Sequence, residues 1–154
     1  MKEEIKASWD VTDMGEPKKI IGIEISHVGN TVTISQQHYI KSILKRENLT
    51  DCNPVSTPMD PKVKFLPNPD DNEGSQSNYF TQILGELQFL ANATRPDIAF
   101  TINCLCSYTA NPTVQHVTAL NRILQYLKGT KSHGIKYPTI KGDNNGSISM
   151  ARNP

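Results

Sequence analysis

The first clear pattern of apolar and polar positions lies in residues 19–35, where isoleucine, valine and threonine dominate two short runs. The runs flank Gly29-Asn30, a pair that favours a tight turn between strands. The pattern therefore predicts an antiparallel hairpin over 19–35. A helix should follow over 37–48, because apolar residues recur there at helical spacing and Ser35 can act as its N-cap.

Residues 51–78 differ in composition from the segments on either side. Prolines alternate there with aspartate, asparagine and serine, which predicts a long irregular segment. Scattered apolar residues would anchor parts of this segment to the body of the protein. They are Val55, Met59, Val63, Phe65 and Leu66.

Three helical patterns follow, over 78–93, 96–108 and 112–129, because apolar residues recur in each of them at i, i+3 and i+4. Short connections should place these helices in one antiparallel cluster. A short strand is predicted over 134–137. The fold class is therefore α+β, with a small antiparallel hairpin packed with a helix, then a long loop and a three-helix cluster. A lone hairpin is marginal in water, so it must pack on a helix to persist.

Composition and charge limit the class of protein. The chain has 154 residues, 36% of them hydrophobic, and a formal net charge of +1, which fits about one domain. The sequence contains neither an apolar run of about 18 residues, as a membrane span needs, nor an apolar signal segment near its start. We therefore expect an intracellular protein with no membrane partner, and the sequence does not distinguish cytoplasm from nucleus.

The charge is distributed unevenly along the chain. Residues 51–94 carry two Lys/Arg and six Asp/Glu, whereas residues 95–154 carry seven Lys/Arg and two Asp/Glu. The basic C-terminal part is compatible with a surface that faces phosphates and equally with an ordinary solvated helix face.

Cysteine and histidine spacing gives no indication of a metal site. The three cysteines are an odd number without a C-x-x-C pair, and none of the four histidines has another ligand four residues away. We therefore expect no metal site and no cofactor in this chain.

Three groups of residues resemble one known pattern, in the same order and with nearly the same spacing. The first group has Asp13-Met14-Gly15, Ile21-Gly22-Ile23-Glu24-Ile25 and Ile34-Ser35-Gln36, and the second is Cys52-Asn53-Pro54-Val55-Ser56-Thr57-Pro58-Met59. The third has Gly85, Leu87 and Leu90, then Thr94-Arg95-Pro96-Asp97-Ile98-Ala99-Phe100, Pro112, His116 and Tyr126-Leu127-Lys128-Gly129-Thr130. Over about residues 5–137 the chain resembles the copia-type retrotransposon reverse transcriptase, in the part that follows its catalytic aspartates.

The resemblance implies four parts along the chain. Residues 1–50 would be the end of the palm with a primer-grip-like hairpin and helix, and residues 51–78 a connecting loop. Residues 79–137 would be thumb- or connection-like helices, and residues 138–154 a ribonuclease H-like remnant. The implied partners are template–primer nucleic acid, bound weakly and nonspecifically, and the remainder of a Pol polyprotein.

The resemblance also suggests nucleic-acid-binding residues. In related thumbs one helix face carries a polar residue, a glycine that permits close approach and an aromatic ring, and Thr81, Gly85 and Phe89 match this arrangement. The alternative is that Phe89 belongs to the core and Gly85 is a contact point between helices. Four basic residues complete the predicted set, namely Arg95, Arg122, Lys128 and Lys131. Arg95 has a structural alternative, which is pairing with a nearby carboxylate or carbonyl.

The residues that catalysis would require are not recognised in this chain. Polymerases of this family need adjacent aspartates in a turn between apolar strands to bind two divalent ions, Mg²⁺ in the intact enzyme. The family motif would lie upstream of Met1, and Asp70-Asp71 has the flanks of a solvated loop. Asp143 resembles a ribonuclease H metal ligand, but a single carboxylate cannot form a two-metal site, so we interpret it as a relic. We predict no catalytic residue here.

Three functions remain open at this point. The chain is either a fragment that at most binds template–primer nucleic acid nonspecifically, or part of an RNA-directed DNA polymerase that is active once the missing palm is supplied. The third possibility is a translated transposon remnant without function.

Overall fold

The structure is a computed structural model that describes residue 15, residues 17–68 and residues 77–138. Its strands are β1 (Lys19–Ile20), β2 (Ile23–Val28), β3 (Thr31–Ser35) and β4 (Ile135–Pro138). Its helices are α1 (Gln37–Arg46), α2 (Ser77–Ala93), α3 (Ala99–Cys106) and α4 (Val114–Gly129), with a 3₁₀ turn over Pro96–Ile98 before α3. The α+β prediction is confirmed.

The strands form one antiparallel sheet in the order β1-β2-β3-β4. Strands β2 and β3 are joined at Gly29 and Asn30, as the pattern predicted, with Val28 opposite Thr31. The sheet is larger than the predicted hairpin, because a second tight turn at Ile21 and Gly22 separates β1 from β2.

Strand β4 joins the sheet from the far end of the chain and pairs Ile135 with Ile34 of β3. Gly134 permits this approach. A Cβ at that position would overlap the carbonyl oxygen of Ile34. The sheet therefore ties residues that follow α4 to the N-terminal hairpin.

The start of α1 differs from the prediction. The N-cap position is Gln36, and the proposal that Ser35 caps the helix is wrong. The Ser35 hydroxyl instead donates to the Glu24 carboxylate at 3.4 Å, and this carboxylate accepts the backbone N–H of His38 at 3.0 Å. A side chain from β2 therefore satisfies one of the free N–H groups at the helix start.

An apolar core of the described residues collects side chains from all four helices and from the 3₁₀ turn. Its buried members are Ile40, Ile43, Leu44, Phe80, Ile83, Leu84, Leu87, Leu90, Ala91, Ile98, Ile102, Leu105, Leu120, Ile123, Leu124 and Leu127. Of the predicted loop anchors, Phe65 packs against this core, whereas Val63 and Leu66 are exposed. Within the described ranges, no helix combines the length and apolar character that crossing a membrane requires.

The predictions for Asp70-Asp71 and Asp143 lie outside the described residues.

Candidate nucleic-acid interface

Arg95, a predicted nucleic-acid-binding residue, lies in the interior and is 1% exposed. Its Nε and Nη2 donate to the two carboxylate oxygens of Asp97 at 3.0 and 2.7 Å. Its Nη1 and Nη2 also donate to the carbonyl oxygen and Oγ1 of Thr130 at 3.0 and 2.6 Å. These contacts favour the structural alternative for Arg95, because a phosphate could reach the guanidinium only by displacing these partners.

Tyr126 completes this cluster. Its ring lies 5.5 Å from the Arg95 guanidinium, and its hydroxyl donates to Asp97 at 2.8 Å. Burial acts to raise the pKa of Asp97, but hydrogen bonds from Arg95 and Tyr126 outweigh it and lower that pKa below its usual value. The carboxylate is therefore ionised at neutral pH and matches the charge of Arg95.

The residues Thr81, Gly85 and Phe89 form an exposed stripe on α2. A Cβ placed on Gly85 would meet no atom within 4 Å in the described part of the chain, so this glycine is not a contact point between helices. Phe89 is 38% exposed and is not a core residue. Its ring meets Tyr39 of α1 edge-on, with a centroid distance of 5.5 Å, which orients the ring at the surface.

Polar contacts also join α2 to the side of α1 that carries Tyr39. Arg46 donates to Glu86 at 2.6 Å and to Glu47 at 2.9 Å. The hydroxyl of Tyr79 donates to Glu47 at 2.8 Å, and burial together with this hydrogen bond raises the pKa of Tyr79 to about 12. The stripe therefore lies on a helix whose side chains contact α1.

Arg122 lies apart from the stripe, on α4 and against the irregular segment. Its Nη2 donates to the Thr57 hydroxyl at 3.0 Å. Its Nε is buried without a hydrogen-bond partner among the described residues. The guanidinium borders a pocket formed by α4 and by loop residues that include Met59 and Phe65.

Lys128 and Lys131 line a different cavity, between the end of α4 and helix α1. Lys41 and Lys45 of α1 line the same cavity. Neither lysine belongs to the set of residues that the sequence predicted to bind nucleic acid. Their i, i+4 spacing was visible in the sequence, but the sequence carries no signal that α1 packs beside the end of α4.

The structure thus distributes the seven predicted residues over four places. The stripe lies on α2, and Arg95 lies in the interior. Arg122 borders the pocket between α4 and the irregular segment, and Lys128 and Lys131 line the cavity between α4 and α1. Within residues 17–68 and 77–138, no three His, Cys, Asp or Glu side chains come together in a group that could hold a metal ion.

Comparison with known proteins identifies the class. The family model described as reverse transcriptase (RNA-dependent DNA polymerase) matches residues 1–61. The chain is 37% identical to the retrovirus-related Pol polyprotein from transposon RE1 of Arabidopsis thaliana, over 86% of this chain and 9% of that protein. It is 39% identical to the corresponding polyprotein from transposon RE2 of the same plant, over 75% of this chain and 8% of that protein.

A shorter relative matches an equal share of this chain. An uncharacterized mitochondrial protein of Arabidopsis thaliana is 32% identical over 86% of this chain and 54% of its own length. The chain thus spans about half of this relative and about a tenth of the Pol polyproteins. No solved structure matches the chain significantly.

By these similarities, the chain corresponds to a segment of a protein of the reverse-transcriptase class. The chain belongs to the copia-type retrotransposon reverse transcriptase family.

Proposed function

We propose that this chain is a non-catalytic segment of a copia-type Pol polyprotein that binds template–primer nucleic acid weakly and without sequence preference. The observation that supports the proposal is the exposed stripe of Thr81, Gly85 and Phe89. These residues leave an aromatic ring, a hydroxyl and an open backbone position together on one helix face.

The stripe has the properties that sequence-independent binding needs. Gly85 leaves room for a sugar–phosphate chain to approach the helix backbone, and the Thr81 hydroxyl can donate to a phosphate oxygen. The Phe89 ring offers an apolar surface to a sugar or a base. Contacts of this kind position a nucleic acid without reading its sequence. By family resemblance, hairpin 19–35 would act as a primer grip and helices 79–108 as a thumb.

We also propose that the chain alone neither extends a primer nor cleaves an RNA–DNA hybrid. Two-metal chemistry needs paired carboxylates in an organised site, and the adjacent pair Asp70-Asp71 is surrounded in the sequence by proline, asparagine and glycine. Purified protein should show no template-dependent incorporation in Mg²⁺ or Mn²⁺. Incorporation that disappears on changing Asp70 and Asp71 to Asn would contradict this.

The binding proposal is tested with Gly85→Leu. Fluorescence anisotropy with a labelled RNA–DNA hybrid should give a dissociation constant on the order of 10⁻⁴–10⁻⁶ M for the unchanged chain, as for nonspecific binders. Leucine at this open position should weaken binding by obstructing the approach of the backbone. The helix should tolerate the change, because leucine is a better helix former than glycine by roughly 0.5–1 kcal/mol.

Asn103→Leu is the matched control, since Asn103 is an exposed residue of α3 and does not belong to the stripe. Circular dichroism should confirm the fold of both variants. Equal affinities for Gly85→Leu and the unchanged chain would refute the stripe as the binding face. A folded protein with no saturable binding at low salt would leave the remnant without function as the surviving alternative.

A further inference from the structure

A cavity between α1 and the end of α4 concentrates positive charge. Lys41 and Lys45 line it from α1, and Lys128 and Lys131 line it from the end of α4. Leu44 and Thr50 complete the lining among the described residues, and none of these six residues carries a carboxylate. The stripe contacts the opposite flank of α1, where Tyr39 and Arg46 face α2.

These lysines differ from the paired arginines of the same protein. Arg46 and Arg95 each bind carboxylates, as described above. In the described part of the chain, no ion pair joins Lys41, Lys45 or Lys131 to an acidic side chain. Ammonium groups gathered around one cavity repel one another, and an anion between them would relieve that repulsion.

Lys128 is the fixed member of the group. Its Nζ donates to the carbonyl oxygen of Cys52, and the side chain is half-buried. An ammonium already held in place loses little side-chain entropy when a ligand binds. Lys41, Lys45 and Lys131 are exposed and can adjust their long side chains around a ligand.

Helix dipoles oppose an anion here, but the opposing charge is small. Helices α1 and α4 both end near this cavity, and a helix C-terminus carries about −0.5 of an elementary charge. Two such ends amount to about one negative charge, against four lysine ammonium groups. The net local charge therefore remains clearly positive.

We propose that the cavity lined by Lys41, Lys45, Lys128 and Lys131 is a binding site for groups that carry several phosphate charges. Two kinds of ligand carry such groups, namely the backbone of a nucleic acid and a free polyphosphate. Binding of a nucleic-acid backbone rests on the proposed function above, and binding of a free polyphosphate does not.

The test compares two double variants of the full chain. Lys41→Gln/Lys45→Gln removes two charges from the cavity and keeps good helix formers on α1. Lys62→Gln/Lys64→Gln removes the same charge from exposed positions of the irregular segment and serves as the control. Sodium tripolyphosphate is titrated by calorimetry, and the labelled RNA–DNA hybrid by anisotropy at several salt concentrations.

The cavity variant should lose affinity for tripolyphosphate on the order of tenfold, and the control should lose much less. If the nucleic-acid backbone is the ligand, the salt dependence of hybrid binding should fall by about one unit of slope for each lysine removed, in the cavity variant only. Equal losses in the two double variants would overturn the proposal. Failure of the unchanged chain to bind either probe would overturn it as well.

The same probes separate this inference from the proposed function. Gly85→Leu should weaken hybrid binding and leave tripolyphosphate binding unchanged, because the stripe and the cavity contact different flanks of α1. If tripolyphosphate binds through the lysines while the hybrid does not bind, the cavity proposal holds for free polyphosphate and the binding function fails. If the hybrid binds and the loss of Lys41 and Lys45 has no selective effect on either probe, the cavity proposal fails alone.

Discussion

The guanidinium of Arg95 donates two hydrogen bonds to Thr130, at 3.0 Å to the carbonyl oxygen and at 2.6 Å to Oγ1. These residues belong to the two segments that most clearly mark the family, Thr-Arg-Pro-Asp-Ile and Tyr-Leu-Lys-Gly-Thr. In this structure the side chains of the two segments form one cluster, which joins the end of α2 to the end of α4. Their role in this structure is to hold helices together.

The Arg95 cluster predicts that Arg95→Lys is not conservative. Lysine cannot reproduce the fork of donors to Asp97 and Thr130, and buried hydrogen bonds to charged groups contribute about 1.5–3 kcal/mol each. We expect the free energy of unfolding to fall by about 2–3 kcal/mol, measured by urea denaturation with circular dichroism.

Arg46→Lys is the matched control for that experiment. The Arg46 side chain is 47% exposed and pairs with Glu47 and Glu86 at the surface, where such pairs contribute up to about 1 kcal/mol. The loss should therefore be smaller than for Arg95→Lys. Equal losses would show that burial of Arg95 does not strengthen its interactions.

A second prediction concerns the turn between β1 and β2. Ile21 has φ of 48° and Gly22 has φ of 78°, so both residues of this two-residue loop adopt left-handed backbone conformations. A β-branched residue is strained there by about 1–2 kcal/mol, whereas Asn-Gly suits such a turn. Because Ile21 is 83% exposed, Ile21→Asn loses little burial and should raise the urea midpoint.

Val28→Asn provides the comparison for Ile21→Asn. Val28 is also β-branched and is 73% exposed, but it lies in β2 with ordinary strand geometry. Asparagine is unfavourable in strands, so this change should lower the urea midpoint. The interpretation of strain at Ile21 is wrong if both substitutions shift the midpoint in the same direction.

A third prediction contrasts two glycines. Gly134→Ala should destabilise the protein by about 1–3 kcal/mol, because the new Cβ would overlap the Ile34 carbonyl oxygen where β4 joins β3. Gly85→Ala should stabilise it by about 1 kcal/mol, because the position is open and lies inside a helix. Thermal unfolding should therefore shift in opposite directions, and a shared direction would contradict the described environments.

His116 gives a prediction about pH. The side chain is fully buried, its Nδ1 accepts the backbone N–H of Thr113 at 2.8 Å, and its ring stacks on Tyr108 at 4.1 Å. Burial lowers the pKa of His116 below its ordinary value of 6.5, so the folded state favours the neutral ring. The contribution of the neutral His116 ring to the stability of the fold is therefore fully present above pH 6.5. It is lost as the pH falls from there through the folded-state pKa.

The measurement is thermal unfolding at about pH 7.5 and about pH 5.5, for the unchanged chain and for His116→Gln. Glutamine at this position of a helix start also accepts the N-cap N–H, and it does not titrate in this range. The unchanged chain should lose more stability on acidification than His116→Gln does. Equal losses would show that titration of His116 does not contribute.

Regular apolar spacing allowed the main helices and the central hairpin to be predicted from the sequence. Helix α2 was expected over 78–93 and occupies Ser77–Ala93, because its buried positions repeat without interruption. The helix predicted over 96–108 is instead a 3₁₀ turn followed by helix α3 (Ala99–Cys106). Local spacing marks the apolar face well, but the ends of a helix depend on which groups satisfy its free N–H and C=O groups.

The sequence by itself determined the family, the α+β class and the apolar face of each helix, since these follow from motifs and from periodicity over short distances. Only the tertiary structure decided which polar groups meet. It brought the Glu24 carboxylate to the start of α1, placed Arg95 in the interior, and gathered Lys41 and Lys45 with Lys128 and Lys131. The physical reason is that these groups lie on different elements, and only the packing of those elements sets the distances between them.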